Sequence, residues 1–255
     1  MKRPRNRVKV GHRFINPDDL RFFRKEILRW WQHERRDFPW RTSRSALYQQ
    51  IVAEVLLQRT RAETVAAFWP TFMVRFPNWT ALSKASVRQI ERVLNPIGLS
   101  RQRAPRLRAL AKQMVRTHDR FPKTRTEIEQ LPGVGQYIAS AILMFQHSHA
   151  EPLLDVNMAR VLERFFGPRK LADIRYDPYL QELSRLVIKG KRSRELNWAI
   201  LDLAAAICRS THPCVSRCPL RARCRYAPRI SASPRPCGRG PIEATRFDVD
   251  WLRRT

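Results

Sequence analysis

The stretch Leu131-Pro132-Gly133-Val134-Gly135-Gln136-Tyr137-Ile138-Ala139-Ser140-Ala141-Ile142 decides how this chain is interpreted. The two glycines around Val134 permit a sharp turn and a close approach of the backbone to a partner. The apolar run after them predicts a helix, whose first backbone N–H groups suit an anion. Residues 124–130 predict the end of a preceding helix, so the expected local structure is helix, glycine hairpin, helix. From the turn alone, a helix C-cap within an all-α core is an equally good interpretation.

Charge and composition narrow the function. The chain has 255 residues and a formal net charge of +28, from 50 Lys+Arg against 22 Asp+Glu. Such an excess indicates a polyanionic partner, most commonly nucleic acid. An anionic membrane is the alternative, but no apolar run approaches the length of a spanning helix, and no signal-peptide core follows the basic start. We therefore expect an intracellular, unprocessed, soluble protein.

Helical periodicity dominates the chain, and no stretch shows a sustained period of two. The predicted fold class is therefore all-α, with short connections. A basic N-terminal arm over residues 1–17 is expected to precede the helices, and a basic Pro/Arg-rich tail over residues 227–255 to follow them. The predicted helices begin with Asp18 as the N-cap of the first and cover residues 47–76 with a break near residue 58, 78–94, 104–116, 153–166, 178–189 and 195–207.

Two carboxylates are candidates for chemistry. Asp155 lies between an apolar run and the start of a helix, so it is either an N-cap, a catalytic group, or both. Glu54 lies in the apolar run Ala53-Glu54-Val55-Leu56-Leu57-Gln58-Arg59-Thr60. A solvated face is the usual place for a helical Glu, but these neighbours favour burial or a cleft, where a raised pKa makes a carboxyl group a proton donor.

Four of the five cysteines crowd into one short segment. Five, three and five residues separate the members of this set, which is Cys208, Cys214, Cys218 and Cys224. Clustering of this kind in an intracellular chain predicts a metal centre, and the spacing alone allows either zinc or an iron–sulfur cluster. Cys237, in the tail, is interpreted as a spare thiol.

Together these motifs resemble the helix-hairpin-helix DNA glycosylases of the endonuclease III superfamily. The resemblance covers residues 22–226. It rests on the hairpin, on Leu153-Leu154-Asp155-Val156-Asn157-Met158-Ala159-Arg160-Val161 and on the C-terminal four-cysteine loop. Phe38-Pro39-Trp40, the Glu54 segment and Ile97-Gly98-Leu99-Ser100 also resemble landmarks of that family.

The resemblance implies two helical lobes with a cleft between them, within a domain over residues 18–226. It implies a monomer that binds double-stranded DNA, flips one nucleotide out and cleaves its N-glycosidic bond. Asp155 would stabilise the oxocarbenium-like sugar and support attack by water. The hairpin would bind a phosphate through Gly133, Val134, Gly135 and Gln136.

Tyr137 sets the expected subfamily. Bifunctional members carry Lys at this position as a Schiff-base nucleophile, so Tyr137 implies a monofunctional enzyme. Tyr there is similar to the thymine-DNA mismatch glycosylases, which remove T or U opposite G. An adenine-DNA glycosylase acting on A:G or A:8-oxoguanine is the alternative, because Glu54 and Gln58 are shared with that group. The short tail opposes it, since adenine enzymes usually carry a further C-terminal domain.

Two further residues complete the implied DNA contacts. Arg59 aligns with the residue that fills the space of the flipped base, and its guanidinium suits the widowed guanine. Leu99 resembles a second wedge between bases. A phosphate contact for Arg59 and a core position for Leu99 are the alternatives.

The cysteine loop departs from the family pattern, which usually has six, two and five residues between ligands. A [4Fe-4S] cluster is expected, with zinc as the alternative. A non-catalytic DNA-binding module and a zinc-dependent structural protein are the rival interpretations of the whole chain.

Overall fold

A computed structural model of the protein describes residues 7–42 and 45–230, and these form two compact units. Unit 1 comprises described residues 7–36 and 150–230, and unit 2 comprises 37–42 and 45–149. The strands are β1 (Val8–Val10) and β2 (Arg13–Ile15). The α-helices are α1 (Pro17–Glu34), α2 (Leu47–Leu57), α3 (Ala62–Arg75), α4 (Trp79–Lys84), α5 (Val87–Leu94), α6 (Ser100–Arg116), α7 (Arg125–Glu129), α8 (Gln136–His147), α9 (Val156–Phe166), α10 (Pro178–Ile188), α11 (Ser193–Ala206) and α12 (Ala227–Ile230). Among the described residues, no helix is long and apolar enough to cross a membrane.

The core of unit 1 forms where α11 packs against α1 and α9. The ring of Phe23 on α1 makes an edge contact with Phe165, at 5.1 Å between centroids. The fully buried carboxylate of Asp202 accepts a hydrogen bond from Trp31 Nε1 at 2.8 Å and forms an ion pair with Arg36 Nε at 2.9 Å. A buried charge without such partners is strongly destabilising, so these bonds hold α11 against α1.

The core of unit 2 forms where α4 and α5 pack on α6, and where α2 and α7 pack on α8. Trp40 stacks on Phe38 at 4.9 Å and meets the edge of Trp69 at 5.2 Å. The buried hydroxyl of Tyr48 donates to Phe76 O at 2.6 Å, which satisfies its polar end. The Phe38-Pro39-Trp40 landmark is therefore a packing feature of this unit.

The predicted helical fold is confirmed, and most boundaries agree within a few residues. The prediction of a single helix over 78–94 is wrong, because Ser86 starts α5 as a separate helix. Its Oγ accepts from Gln89 N at 3.2 Å, while its backbone N–H donates to Gln89 Oε1 at 2.8 Å. This capping box makes a new helix start more favourable than continuation.

Two helix starts also differ from expectation. The N-cap of α1 is Asn16, whose side chain accepts from Asp18 N, and Asp18 lies inside the first turn. Residues 124–130 form the short helix α7 rather than the end of a longer one. Its cap is Thr124, whose Oγ1 accepts from Glu127 N at 3.4 Å.

The basic N-terminal segment contains an antiparallel hairpin that the sequence did not predict. Val8 pairs with Ile15 and Val10 with Arg13. Val10 and Ile15 are buried, and Gly11 N donates to Glu182 Oε2 at 2.6 Å, so the hairpin is anchored to α10. Strands of three residues are too short to show a period of two. Of the predicted tail over residues 227–255, the structure describes 227–230, and Cys237 lies outside the described residues.

Candidate active site

The predicted glycine hairpin joins α7 to α8 in unit 2. Leu131 and Val134 are buried, and Val134 N donates to Leu131 O at 3.1 Å, which closes the turn. Gly133 has φ of +74°, and a Cβ there would lie 2.9 Å from Arg106 Cβ. Only glycine fits this conformation without strain, so α6 packs directly against the turn.

Gly135 is exposed and forms the N-cap of α8 in an extended conformation. Apart from its own chain neighbours, no atom of the described residues lies within 4 Å of the position of a Cβ on this residue. The 12-residue helix α8 therefore begins beside open space. An N-terminus of this kind attracts anions through its N–H groups and dipole.

Glu54 and Tyr137, predicted from separate motifs, are in contact. Tyr137 Oη donates a hydrogen bond to Glu54 Oε2 at 2.8 Å. Glu54 is only 4% exposed and lies on α2, which packs on α8 where Tyr137 occupies the first turn. The expectation that Glu54 is removed from solvent is therefore confirmed.

Asp155 lies in unit 1 and is the N-cap of α9. Its Oδ1 accepts from Asn157 N at 2.9 Å and Met158 N at 2.8 Å, and its Oδ2 accepts from Asn157 Nδ2 at 2.6 Å. Burial raises the pKa of this carboxyl group, while these hydrogen bonds and Arg160 oppose the rise. The capping role is thus present, and it fixes the carboxylate in one orientation.

Two residues that the sequence did not single out support Asp155. Arg160 Nη2 donates to Asn157 Oδ1 at 3.1 Å, and Arg160 Nε donates to Cys208 O at 2.8 Å. Asn157 therefore lies between Asp155 and an arginine bound to the start of the cysteine segment. The spacing Asp-x-Asn-x-x-Arg at a helix start is the only sequence signal of this network.

The loop carrying Asp155 is itself held by a buried amide. Asn197 Oδ1 accepts from Leu153 N at 2.7 Å, and its Nδ2 donates to Glu151 O at 3.0 Å. Asn197 is fully buried on α11. The segment that leads to Asp155 is thereby attached to the core of unit 1.

Arg59 and Leu99 lie on two exposed loops of unit 2 with left-handed backbones. Their φ angles are +58° and +55°. Such angles are strained for residues other than glycine and often occur at functional sites. Leu99 is 38% exposed, so the interpretation of Leu99 as a core residue is not supported.

Arg103 joins these two loops and was not predicted from the sequence. Arg103 is 5% exposed, and its guanidinium donates to Gly98 O at 2.9 Å and Thr60 Oγ1 at 2.7 Å. It also donates to Gln58 O, and burial lowers its pKa. Gln58 itself is exposed at the C-terminal end of α2.

The four clustered cysteines line one small apolar cavity in unit 1. Cys208, Cys218 and Cys224 have free thiols, and Cys214 is buried. Burial raises the pKa of Cys218 to about 12. Within the described parts of the chain, no group of three or more His, Cys, Asp or Glu side chains is arranged to hold a metal ion.

The sequence profile described as "HhH-GPD superfamily base excision DNA repair protein" matches residues 52–197. A thymine-DNA glycosylase of Aeropyrum pernix is 33% identical over 84% of this chain and 97% of its own. A solved thermostable thymine-DNA glycosylase is 31% identical with a TM-score of 0.73, over 84% of this chain and 98% of its own. An adenine DNA glycosylase of Mus musculus is 30% identical over 88% of this chain but only 45% of its own.

Proposed function

Because the chain belongs to the HhH-GPD superfamily of base excision DNA repair proteins, we propose that it removes thymine or uracil opposite guanine. It is a DNA N-glycosylase, as its relatives are. We propose that it acts by hydrolysis alone, without a lyase step. The observation that carries this proposal is Tyr137, because a phenol hydrogen-bonded to Glu54 occupies the position of the lyase lysine.

Asp155 is proposed as the principal catalytic group. As the C1′–N bond of the flipped nucleotide breaks, positive charge develops on the sugar, and an oriented carboxylate stabilises it. Water then forms a bond to C1′, and its proton is lost from the addition product, while the released base takes up a proton. Asn157 and two backbone amides hold Asp155 for this role.

Glu54 and Tyr137 are proposed to act together on the target base. Glu54 lies in an apolar environment and is oriented by the phenol of Tyr137. A carboxyl group in such a place is suited to deliver a proton to a leaving base. Tyr137 would fix the oxygen that faces away from the base.

The hairpin and the two strained loops are proposed to bind DNA. The exposed start of α8, over Gly133, Val134, Gly135 and Gln136, would hold a backbone phosphate. Gln58, Arg59 and Leu99 would occupy the space that the flipped nucleotide leaves. Arg103 would position these three residues through its hydrogen bonds to Gln58 O, Gly98 O and Thr60 Oγ1.

Adenine opposite guanine or 8-oxoguanine is the second candidate substrate. It is favoured by Glu54 and Gln58, which the sequence resemblance shares with adenine-DNA glycosylases, and by similarity to the mouse protein. The chain covers 45% of the length of that protein.

A [4Fe-4S] cluster on Cys208, Cys214, Cys218 and Cys224 is also proposed, with zinc as the alternative. Support comes from the four cysteines that line one apolar cavity, since four thiolates suit either group. When bound, the cluster would order the segment that Arg160 contacts. Analysis of iron, sulfide and zinc in the purified protein, together with its visible absorbance, distinguishes a [4Fe-4S] cluster from zinc.

The experiment that tests the proposal is a panel of duplexes containing T:G, U:G, A:G or A:8-oxoguanine. Base release is scored under single-turnover conditions with and without alkali. We expect release of T and U, with strand breaks only after alkali. Adenine release alone would support the second candidate, and breaks without alkali would contradict hydrolysis alone. Binding without any release would indicate a non-catalytic module.

A further inference from the structure

A basic cavity of about 650 Å³ lies in unit 1 beside the start of α9. The arginines that line it are Arg13, Arg160, Arg164, Arg169 and Arg225. We propose that this cavity binds backbone phosphates of the DNA strand that flanks the target nucleotide. The proposal rests on the function proposed above, because it assumes that Asp155 acts on a nucleotide of that strand.

Among the described residues that line the cavity, Glu163 is the one with a carboxylate, and it is already paired with Arg169. Glu163 Oε2 accepts from Arg169 Nη1 at 2.7 Å, and its Oε1 accepts from Arg169 N at 3.0 Å. Among the described residues, none of the other four lining arginines forms an ion pair with a carboxylate. The cavity therefore keeps a large positive excess and attracts an anion.

Two of these arginines converge above Gly167. The Nη1 atoms of Arg13 and Arg225 both lie within 3.3 Å of the point that a Cβ on Gly167 would occupy. Gly167 is buried with φ of +114°, so the backbone forms the floor of this position. Two guanidinium groups this close repel each other, and an anion between them removes the repulsion and receives forked hydrogen bonds.

The guanidinium of Arg13 is held in place, and that of Arg225 is available to a ligand. Arg13 Nε donates to Pro168 O at 3.1 Å, and its guanidinium lies 5.5 Å from the centroid of the Tyr179 ring. Arg225 is exposed and, within residues 7–42 and 45–230, makes no hydrogen bond or ion pair. A fixed donor beside an unengaged one is suited to a ligand that arrives from solvent.

The position of the cavity favours a DNA strand over a free anion. Its lining includes Val156, which is 66% exposed and directly follows Asp155. Val156, Arg160 and Arg164 are spaced by four residues and share one face of α9, about 6 Å apart along its axis. A strand whose sugar lies at Asp155 therefore passes its next phosphates along this row of positive charge.

The test compares DNA binding of Arg13→Ala, Arg225→Ala and the double variant with that of Arg185→Ala. Arg185 is a matched control, because it is an exposed arginine of unit 1 outside the cavity. Fluorescence anisotropy with a T:G duplex over a range of salt gives the slope of log K against log[salt]. We expect the double variant to bind at least about 10-fold more weakly and to lower the slope by about 1 to 2, since each lost phosphate contact changes it by about 0.9. Arg185→Ala should leave both unchanged.

Two results would overturn the inference. One is a slope in the cavity variants equal to that of the wild type or of Arg185→Ala. The other is thermal stabilisation by inorganic phosphate that depends on Arg13 and Arg225 while DNA binding does not, which would assign a free anion. Arg225→Ala is decisive if Arg13→Ala disturbs folding. Because the readout is binding and not base release, a wild-type protein that releases no base would contradict the proposed function and leave this test intact.

Discussion

Tyr137 and Glu54 are 83 positions apart in the sequence, yet the tyrosine hydroxyl donates a 2.8 Å hydrogen bond to the buried glutamate. The packing of α2 on α8 brings them together. The residue proposed to distinguish this chain from the lyases thus also contacts the proposed proton donor.

Replacement of Tyr137 by Phe removes the hydroxyl and keeps the ring. We expect the single-turnover rate of base release to fall about 5-fold, since a net hydrogen bond contributes about 1 kcal/mol. The control is Tyr176→Phe, which alters an exposed tyrosine of unit 1. Equal rates for wild type and Tyr137→Phe would show that the phenol does not act through Glu54.

Replacement of Asp155 by Asn should reduce base release by at least about 100-fold, because a developing positive charge loses its carboxylate. Asn is a good N-cap, so the fold should persist. Asp177→Asn is the matched control, since Asp177 caps α10 in the same unit through Leu180 N at 2.8 Å. That control should retain full activity, and activity in Asp155→Asn close to the wild-type level would exclude the assigned role.

The pH dependence should report the raised pKa of Asp155, which burial displaces above its ordinary value. Base release should therefore fall with acid at a pH above that expected of an exposed Asp. A carboxyl group with a raised folded pKa favours the fold most below its unfolded pKa, and this contribution is lost as pH rises through the folded pKa. Relative to Asp155→Asn, the wild type should accordingly lose stability as pH rises, as thermal melts at several pH values would show.

Arg103 should act as a positioning residue for the loops of Arg59 and Leu99. Arg103→Met keeps much of the volume but removes donors to both loops, and we expect a loss of about 2 kcal/mol or more in unfolding free energy. Base release from a mismatched duplex should fall more than release from a bubble, where the target base is already unstacked. The control is Arg108→Met on the same helix, whose Nε binds only Ala85 O in the described structure.

A merely structural role for Arg103 would lower release from the duplex and the bubble by the same factor. Arg103→Lys, which keeps the charge, should recover part of the duplex activity but not the fork of contacts. A selective loss on the duplex, partly restored by Lys, is the expected result.

The helices and the hairpin could be predicted because their signals are local. Apolar spacing identified α2 and α9, and Gly133 identified the turn, since φ of +74° needs a residue without a Cβ. The helix break at Ser86 and the strands at residues 8–15 were missed. In the first case a capping box competed with a continuous apolar pattern, and in the second the strands were too short to show one.

The residues of the candidate site were likewise predicted only in part. Residue type and sequence surroundings were enough to single out Glu54 and Asp155, and the resemblance to a known family added Tyr137. The supporting residues Arg103 and Asn157 were not found, because a buried arginine on a basic helix and an asparagine after an N-cap look ordinary in a sequence. Their importance depends on acceptors contributed by other segments of the chain.

By itself, the sequence determined that this is a helical, strongly basic chain with a glycine hairpin, a candidate catalytic carboxylate and no lysine at the lyase position. The helical class, the charge, the hairpin and the candidate carboxylate follow from residue type, periodicity and short spacings, whereas the lyase position follows from the resemblance to a known family. Only the tertiary structure decided that Tyr137 meets Glu54, that Arg103 joins two strained loops and that Arg13 and Arg225 converge above Gly167. The physical reason is that such contacts depend on how helices pack, and packing brings together residues whose separation along the chain carries no signal.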